Sequence, residues 1–212
     1  MAEPGTIKTA TVRVGYEVNH NTEAGMPQMQ KQAVLAKEQQ IRRNRDESTH
    51  VYNDAGQEVL MLQGKGNHVQ VERSQVAAVY RTMNNMVVTH NHPTTKYPTG
   101  IKSIGNSFSR PDILTSINGN VKEMRAVTPK YTYSFKRPAN GWGMSGDQAA
   151  HLYTTAKKRI IDQGRKYLDQ QGWEKQYKDR AEAIIAHQIN KEFVKLAKQR
   201  YGVDIIYRHK RG

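Results

Sequence analysis

His90 and His92 stand one residue apart at the end of a short apolar run, Val87-Val88, and Pro93 follows them. In an extended segment residues i and i+2 point to the same side, so both imidazoles can share one face at the end of a strand. Pro93 cannot donate to a sheet ladder, and the strand is expected to stop there. Across a loop come Ser109 and Asp112, in a Ser-x-x-Asp pattern, and a carboxylate lies upstream at Glu47. Two histidines and one carboxylate, with a fourth position left to water, make a common catalytic zinc set. The plain alternative is a pair of solvated histidines on a polar loop.

The stretch Thr89-His90-Asn91-His92-Pro93, with Ser109-x-x-Asp112 after it, resembles the metal motif of the JAMM (JAB/MPN) superfamily. It is closest to the RadC-like branch and to related domains of phage and toxin-associated proteins. The resemblance covers residues 46–137 and implies a glutamate beside the first core strand. The segment Asp46-Glu47-Ser48-Thr49-His50-Val51-Tyr52, the turn Asn53-Asp54-Ala55-Gly56 and the run Glu58-Val59-Leu60-Met61-Leu62 have the order glutamate, strand, turn, strand. Glu47 is the first choice for that glutamate, Glu58 the second and Glu72 the third. The loop at 94–108 is longer than the compact loop usual in the family and reads as a lid or binding loop.

What the resemblance implies is specific. His90, His92 and Asp112 would hold zinc, Glu47 would accept the proton of a water and pass it to a leaving amine, and Ser109 would hydrogen-bond the oxyanion. The reaction would be cleavage of a peptide or isopeptide bond in a protein substrate. The fold would be α/β, a cytidine-deaminase-like mixed sheet with flanking helices.

The elements that must position these residues read as follows. Residues 28–45 are rich in helix formers and lack Gly and Pro, with Val34, Leu35 and Ile41 as a narrow apolar stripe. The helix would end in a solvated basic cluster, Arg42-Arg43-Asn44-Arg45. Two strands flank the turn at 53–56, whose Asn, Asp and Gly suit a tight reversal. Alternation predicts a third strand at 68–71 and a helix at 74–84 with Val76, Val79 and Tyr80 on one side. The histidine strand follows, then a helix at 111–117 with Pro111 in its first turn and Ser109 as its cap. Strands are expected at 122–128 and 131–136, the latter with Tyr131, Tyr133 and Phe135 on one face.

Four regions result: an arm and helix at 1–45, with an edge strand at 9–18; the site-bearing domain at 46–137; a linker at 138–144; and a basic helical appendage at 145–212. Ser145 and Gln148 form a capping-box pattern that opens the appendage. Ala149, Leu152, Ala156, Ile160 and Tyr167 recur at helical spacing, and Gly172 breaks the helix. Ile185, Ile189, Phe193 and Leu196 define a second helix, Gly202 closes it, and residues 203–207 can add a strand. His187, His151 and His20 read as surface residues.

Composition bounds the partners. Among 212 residues there is no cysteine, so no disulfide or thiolate ligand is available, and a metal site must use nitrogen and oxygen. Hydrophobic residues make up 36% of the chain, and no apolar run approaches bilayer length. No secretory leader is legible, so the expectation is a soluble protein of a bacterial host cytoplasm, or one associated with a virion, with no membrane partner. A formal charge of +14 favours polyanionic partners or else marks a generic basic surface. Lys157, Lys158, Arg159, Arg165 and Lys166 are the cations of the C-terminal helices through which nucleic acid would be met. Three functions therefore stand side by side: a zinc peptidase or isopeptidase, a non-catalytic virion structural or packaging protein contacting nucleic acid, and a nucleic-acid enzyme. His-Asn-His-Pro lacks the hairpin-and-helix spread of an HNH nuclease, which weighs against the third.

Overall fold

A computed structural model of the chain describes residues 21–94, 106–171 and 178–211, and the side chains of 165–183 are left aside. The expected edge strand at 9–18, His20, Gly172, most of the loop at 94–108 and the side chains of Arg165, Lys166 and Tyr167 lie outside the described residues. In chain order come α1 (Gln28–Ile41), β1 (Ser48–Tyr52), β2 (Glu58–Gln63), α2 (Val76–Met83), β3 (Val87–Asn91), α3 (Arg110–Asn118), β4 (Glu123–Val127) and β5 (Tyr131–Lys136). Then follow α4 (Gly146–Gln171), α5 (Lys178–Tyr201) and β6 (Ile206–Arg211).

The strands form one six-stranded mixed sheet in the order β2-β1-β3-β4-β5-β6. Only the β3–β4 pair is parallel. The α/β class expected from the sequence holds at this level. The turn from β1 to β2 uses Gly56 at φ +78°, where an added Cβ would meet the Met29 carbonyl oxygen at 2.7 Å. All five residues of β3 are buried, as suits a central strand flanked on both sides.

Side chains alternate across the sheet, and each face is filled differently. On one face lie Val88, Met124, Ala126, Tyr133 and Phe135, within a single core cluster. On the other lie Thr89, Glu123, Arg125 and Ser134, beneath α1. Arg125 is fully buried there, with Nε 2.6 Å from Glu38 Oε1 and Nη1 2.8 Å from Glu123 Oε1. Its Nη1 also donates to the Thr22 carbonyl at 2.7 Å, and Thr89 donates to Glu38 at 3.1 Å. A buried cation keeps its charge only with such close, hydrogen-bonded anions.

Several expectations need correction. The basic cluster ending α1 is not wholly solvated. Arg42 is buried, and its Nη1 donates to the carbonyls of Thr128 at 2.6 Å and Tyr131 at 3.1 Å. No strand forms at 68–71. Gly64 and Gly66 fold the chain back on itself, so that Lys65 bridges only to His68. The C-terminal region is not an appendage either. Ala149, Leu152 and Ala156 of α4 and Phe193 and Leu196 of α5 belong to the same core cluster as the sheet. The aromatic face of β5 requires that cover. Trp142, within the expected linker, stacks on Phe135 with ring centroids 5.1 Å apart. The last strand forms at Ile206–Arg211, later than the expected 203–207, and pairs with β5. His187 is buried beside it, with Nδ1 2.7 Å from the Tyr207 hydroxyl, whereas His151 is exposed.

Arg125 offers a direct check of this architecture. Arg125→Ala leaves Glu38 and Glu123 buried without their cation, so it should cost about 3–5 kcal/mol. A urea unfolding series should show that loss as a lower midpoint with an unchanged slope.

Candidate metal centre

β3 delivers the first histidine from the middle of the sheet, and its continuation delivers the second. The His92 N–H donates to the Val127 carbonyl at 2.9 Å, which extends the parallel pairing one residue past the strand. His90 and His92 thus project from the same face, and their Nε2 atoms approach to 2.9 Å. His92 Nδ1 lies 2.7 Å from the Asn106 carbonyl oxygen. A carbonyl can only accept, so Nδ1 carries a proton, and Nε2 is the nitrogen that faces the other histidine. Asn106 is held in turn by its neighbours. Asn190 of α5 donates to Ser107 Oγ at 2.8 Å and to the Phe108 carbonyl at 3.0 Å, and Phe108 is buried in the core.

Ser109 and Asp112 form a reciprocal capping box at the start of α3. The Ser109 N–H and hydroxyl both donate to Asp112 Oδ2 at 2.7 Å. This fixes the carboxylate with Oδ1 3.4 Å from His90 Nε2 and Oδ2 3.5 Å from His92 Nε2. The capping signal in the sequence is therefore also what aims Asp112.

Glu47 completes the group from the start of β1. It is buried, and one of its oxygens lies within 4.8 Å of a ring nitrogen of each histidine. Its backbone is fixed at both ends: the N–H donates to the Gly66 carbonyl at 2.7 Å, and the carbonyl accepts from Gly64 N–H at 2.8 Å. Gly64 has no room for a side chain, since a Cβ would fall 2.4 Å from the His68 carbonyl oxygen. Asn91, between the two histidines, points to the opposite face. Its Oδ1 accepts from Ser48 N–H at 2.9 Å, and its Nδ2 donates to the Asp46 carbonyl at 3.1 Å. The residues on either side of Glu47 are thus tied to the strand that carries His90.

The two carboxylates are pushed apart electrostatically. Burial raises the Glu47 carboxyl above its ordinary range, against the opposing pull of His90 and His92 and with Asp112 adding to the rise. Burial would raise Asp112 too, but the adjacent His90 and His92 hold it well below the carboxylate range. Burial lowers His92, yet contact with Asp112, the Asn106 carbonyl and Glu47 together carry it up to about 9. One acid that stays ionised beside another poised to take a proton is the division of roles that acid–base sites exhibit.

All five sequence-selected residues, Glu47, His90, His92, Ser109 and Asp112, line one cavity of about 680 Å³. The cluster Glu47, His90 and His92 can hold a metal ion. Glu58 does not join it. Its partner across the hairpin is Tyr52, at the far end of β1 from Glu47, and it accepts from the Tyr52 hydroxyl at 2.7 Å. Glu72 is exposed and outside the cavity lining. Sequence reasoning missed Asn91, Asn106 and Gly64. Only Gly64 carried a signal, as part of a Gly-x-Gly turn.

No family model, curated protein or solved structure matches this chain.

The basic C-terminal helices present a different picture from the cavity. Lys157, Lys158 and Arg159 are exposed, but Lys158 pairs with Asp162 at 2.8 Å and Arg159 with Glu192 at 3.0 Å. Among the described residues, no helix is long and apolar enough to cross a membrane.

The Asn91 clamp can be tested without a substrate. Asn91→Ala leaves the buried Ser48 N–H without its acceptor and removes the bond to the Asp46 carbonyl, which should lower stability by about 1–3 kcal/mol. Chemical denaturation of the purified variant measures this, and an unchanged midpoint would contradict the clamp.

Proposed function

We propose that this chain is a zinc-dependent peptidase or isopeptidase of the JAMM type, with its sheet as a cytidine-deaminase-like scaffold. One observation carries the reading. Two histidines, a capped aspartate and a glutamate of raised proton affinity, far apart in sequence, converge at one end of a cavity. The donor set of nitrogens and carboxylate oxygens suits zinc, and cysteine plays no part. The central position of the histidine strand in a mixed sheet supports the same reading.

His90 Nε2, His92 Nε2 and Asp112 Oδ1 would hold the ion, and Glu47 stands beside them. Zinc, when bound, supplies a Lewis acid that lowers the pKa of water to about 7. Glu47 takes the proton of the attacking water on a carboxylate oxygen and returns it to the leaving nitrogen, so the amide bond breaks with no net change at the glutamate. Burial of Glu47 serves this role, because a carboxylate of raised proton affinity is a better acceptor near neutral pH. Asp112 stays ionised as a ligand. Ser109 has one hydroxyl proton, and it goes to Asp112 Oδ2. Its first task is to aim that carboxylate, and donation to an oxyanion requires the hydroxyl to turn away from it.

Purified protein should carry about one zinc ion per chain, lost in His92→Ala. Glu47→Gln should keep the zinc and the fold while lowering hydrolysis by a factor of about 100 to 10,000. Asp112→Asn should weaken zinc binding instead. Elemental analysis reads the metal, and cleavage of ubiquitin-like chains or other candidate proteins reads the activity. An active wild type whose rate is untouched by Glu47→Gln would sink the mechanism.

A further inference from the structure

The cavity has a second half that the metal chemistry leaves unused. α2 places Val76, Val79, Tyr80 and Met83 at spacings of three, four and seven residues, the stripe by which a helix normally seals itself onto a core. Only Met83 of the four is buried. Val76, Val79 and Tyr80 are half-buried and line the cavity, Val79 and Tyr80 while also packing against the core and Val76 apart from it. Val69 and Val71 join them from the loop after the Gly64 turn, and they stand outside the packed core, as does Val76. Leu62 of β2 closes one side, and the buried Met83 and Met124 form the floor. These apolar groups share one continuous space with Glu47, His90 and His92.

Half-buried valines around a void forgo contacts that a closed core would give them. At about 680 Å³ the space falls within the range of roughly 300–1,000 Å³ typical of sites for small ligands. An apolar wall leading to a few convergent polar groups is the usual build of such a site.

We infer that the apolar half is a specificity subsite that takes one large aliphatic or aromatic side chain of an extended peptide, next to the amide that is cleaved. This rests on the peptidase reading above and adds the substrate class. Against Leu62, Val69, Val71, Val76 and Val79 a polar or charged side chain would lose water without gaining a hydrogen bond, the hydrogen-bonding groups beside them in the lining being Asn67, His68 and the Tyr80 hydroxyl. Glycine at that position would leave the wall unfilled.

Hydroxamates test this without knowledge of the natural substrate, since they bind zinc directly. Zinc-loaded protein is titrated by calorimetry with N-acetyl-glycine hydroxamate and with N-acetyl-leucine hydroxamate, which share the metal-binding group and the acetamide and differ only in the side chain. The leucine compound should bind roughly 10- to 100-fold more tightly. Val79→Trp, which fills the space, and Val76→Ser with Val79→Ser, which makes the wall polar, should each reduce that ratio to about threefold or less. Affinity for the glycine compound and zinc content should stay as in the wild type. Equal binding of the two compounds to zinc-loaded wild type would overturn the subsite and leave the metal chemistry standing, and so would a ratio that survives both variants. A protein that takes up no zinc would bind neither compound, and the peptidase reading would fall together with this inference.

Discussion

Asn91 is fully buried, and a buried amide must find partners for both its oxygen and its nitrogen. It finds them on the backbone of residues 46 and 48, in the neighbouring strand. That one requirement fixes how β1 lies against β3, with Thr49 opposite His90. A slip of one residue would turn Glu47 to the other face of the sheet and lose both bonds at once. The alternation of β3 does the rest. His90 and His92 face the cavity while Asn91, between them, faces α1. The residue that aligns the site is therefore shielded from whatever occupies it.

The two faces of the sheet solve opposite problems. Under α4 and α5 the filling is apolar and aromatic, with Phe108, Trp142 and Phe193 each against Phe135. Under α1 the filling is an ion network around Arg125, which fixes the helix by directional bonds rather than by area. Thr89 bonds to Glu38 in that network and is the residue just before His90. The histidine strand is thus gripped by hydrogen bonds on one face and by packing on the other, and little freedom remains for His90 to move.

Much of this was legible in the sequence, for identifiable reasons. The hairpin at 48–63 shows because Asn, Asp and Gly mark its turn. The start of α3 shows because Ser109, Pro111 and Asp112 are each suited to a helix N-terminus. His90 and His92 show because their spacing matches the strand period. Glu47 could be ranked above Glu58 and Glu72 only through the resemblance, since nothing local distinguishes them, and the register of β1 with β2 is what sends Glu58 to the far end. What was illegible depended on distant pairing. The partners of Asn91 are more than forty residues away in sequence, at positions 46 and 48. The failure of residues 68–71 to form a strand depends on Gly64 closing against Glu47, which alternation of Val and Gln cannot reveal. Trp142 lay within a stretch whose glycines and proline read as a linker, and the core it completes was misjudged accordingly.

The pairing of β5 with β6 sets an order on folding. Lys136 meets Ile206 only after the whole helical hairpin has been traversed, a long loop to close before any ladder bond rewards it. During synthesis, β1 to β5 and the site-bearing loops leave the ribosome well before α5 and β6. In that interval β5 presents an unpaired edge, and Tyr133 and Phe135 lack the helices that bury them in the finished molecule. Such a species has the features that make nascent chains prone to aggregate and recognisable to chaperones. Ser107 and Phe108, next to the Asn106 whose carbonyl orients His92, are likewise anchored by Asn190 of a helix made late. The arrangement of this candidate metal centre is therefore among the last features of the molecule to mature, although Glu47, His90, His92 and Asp112 are all made well before Asn190.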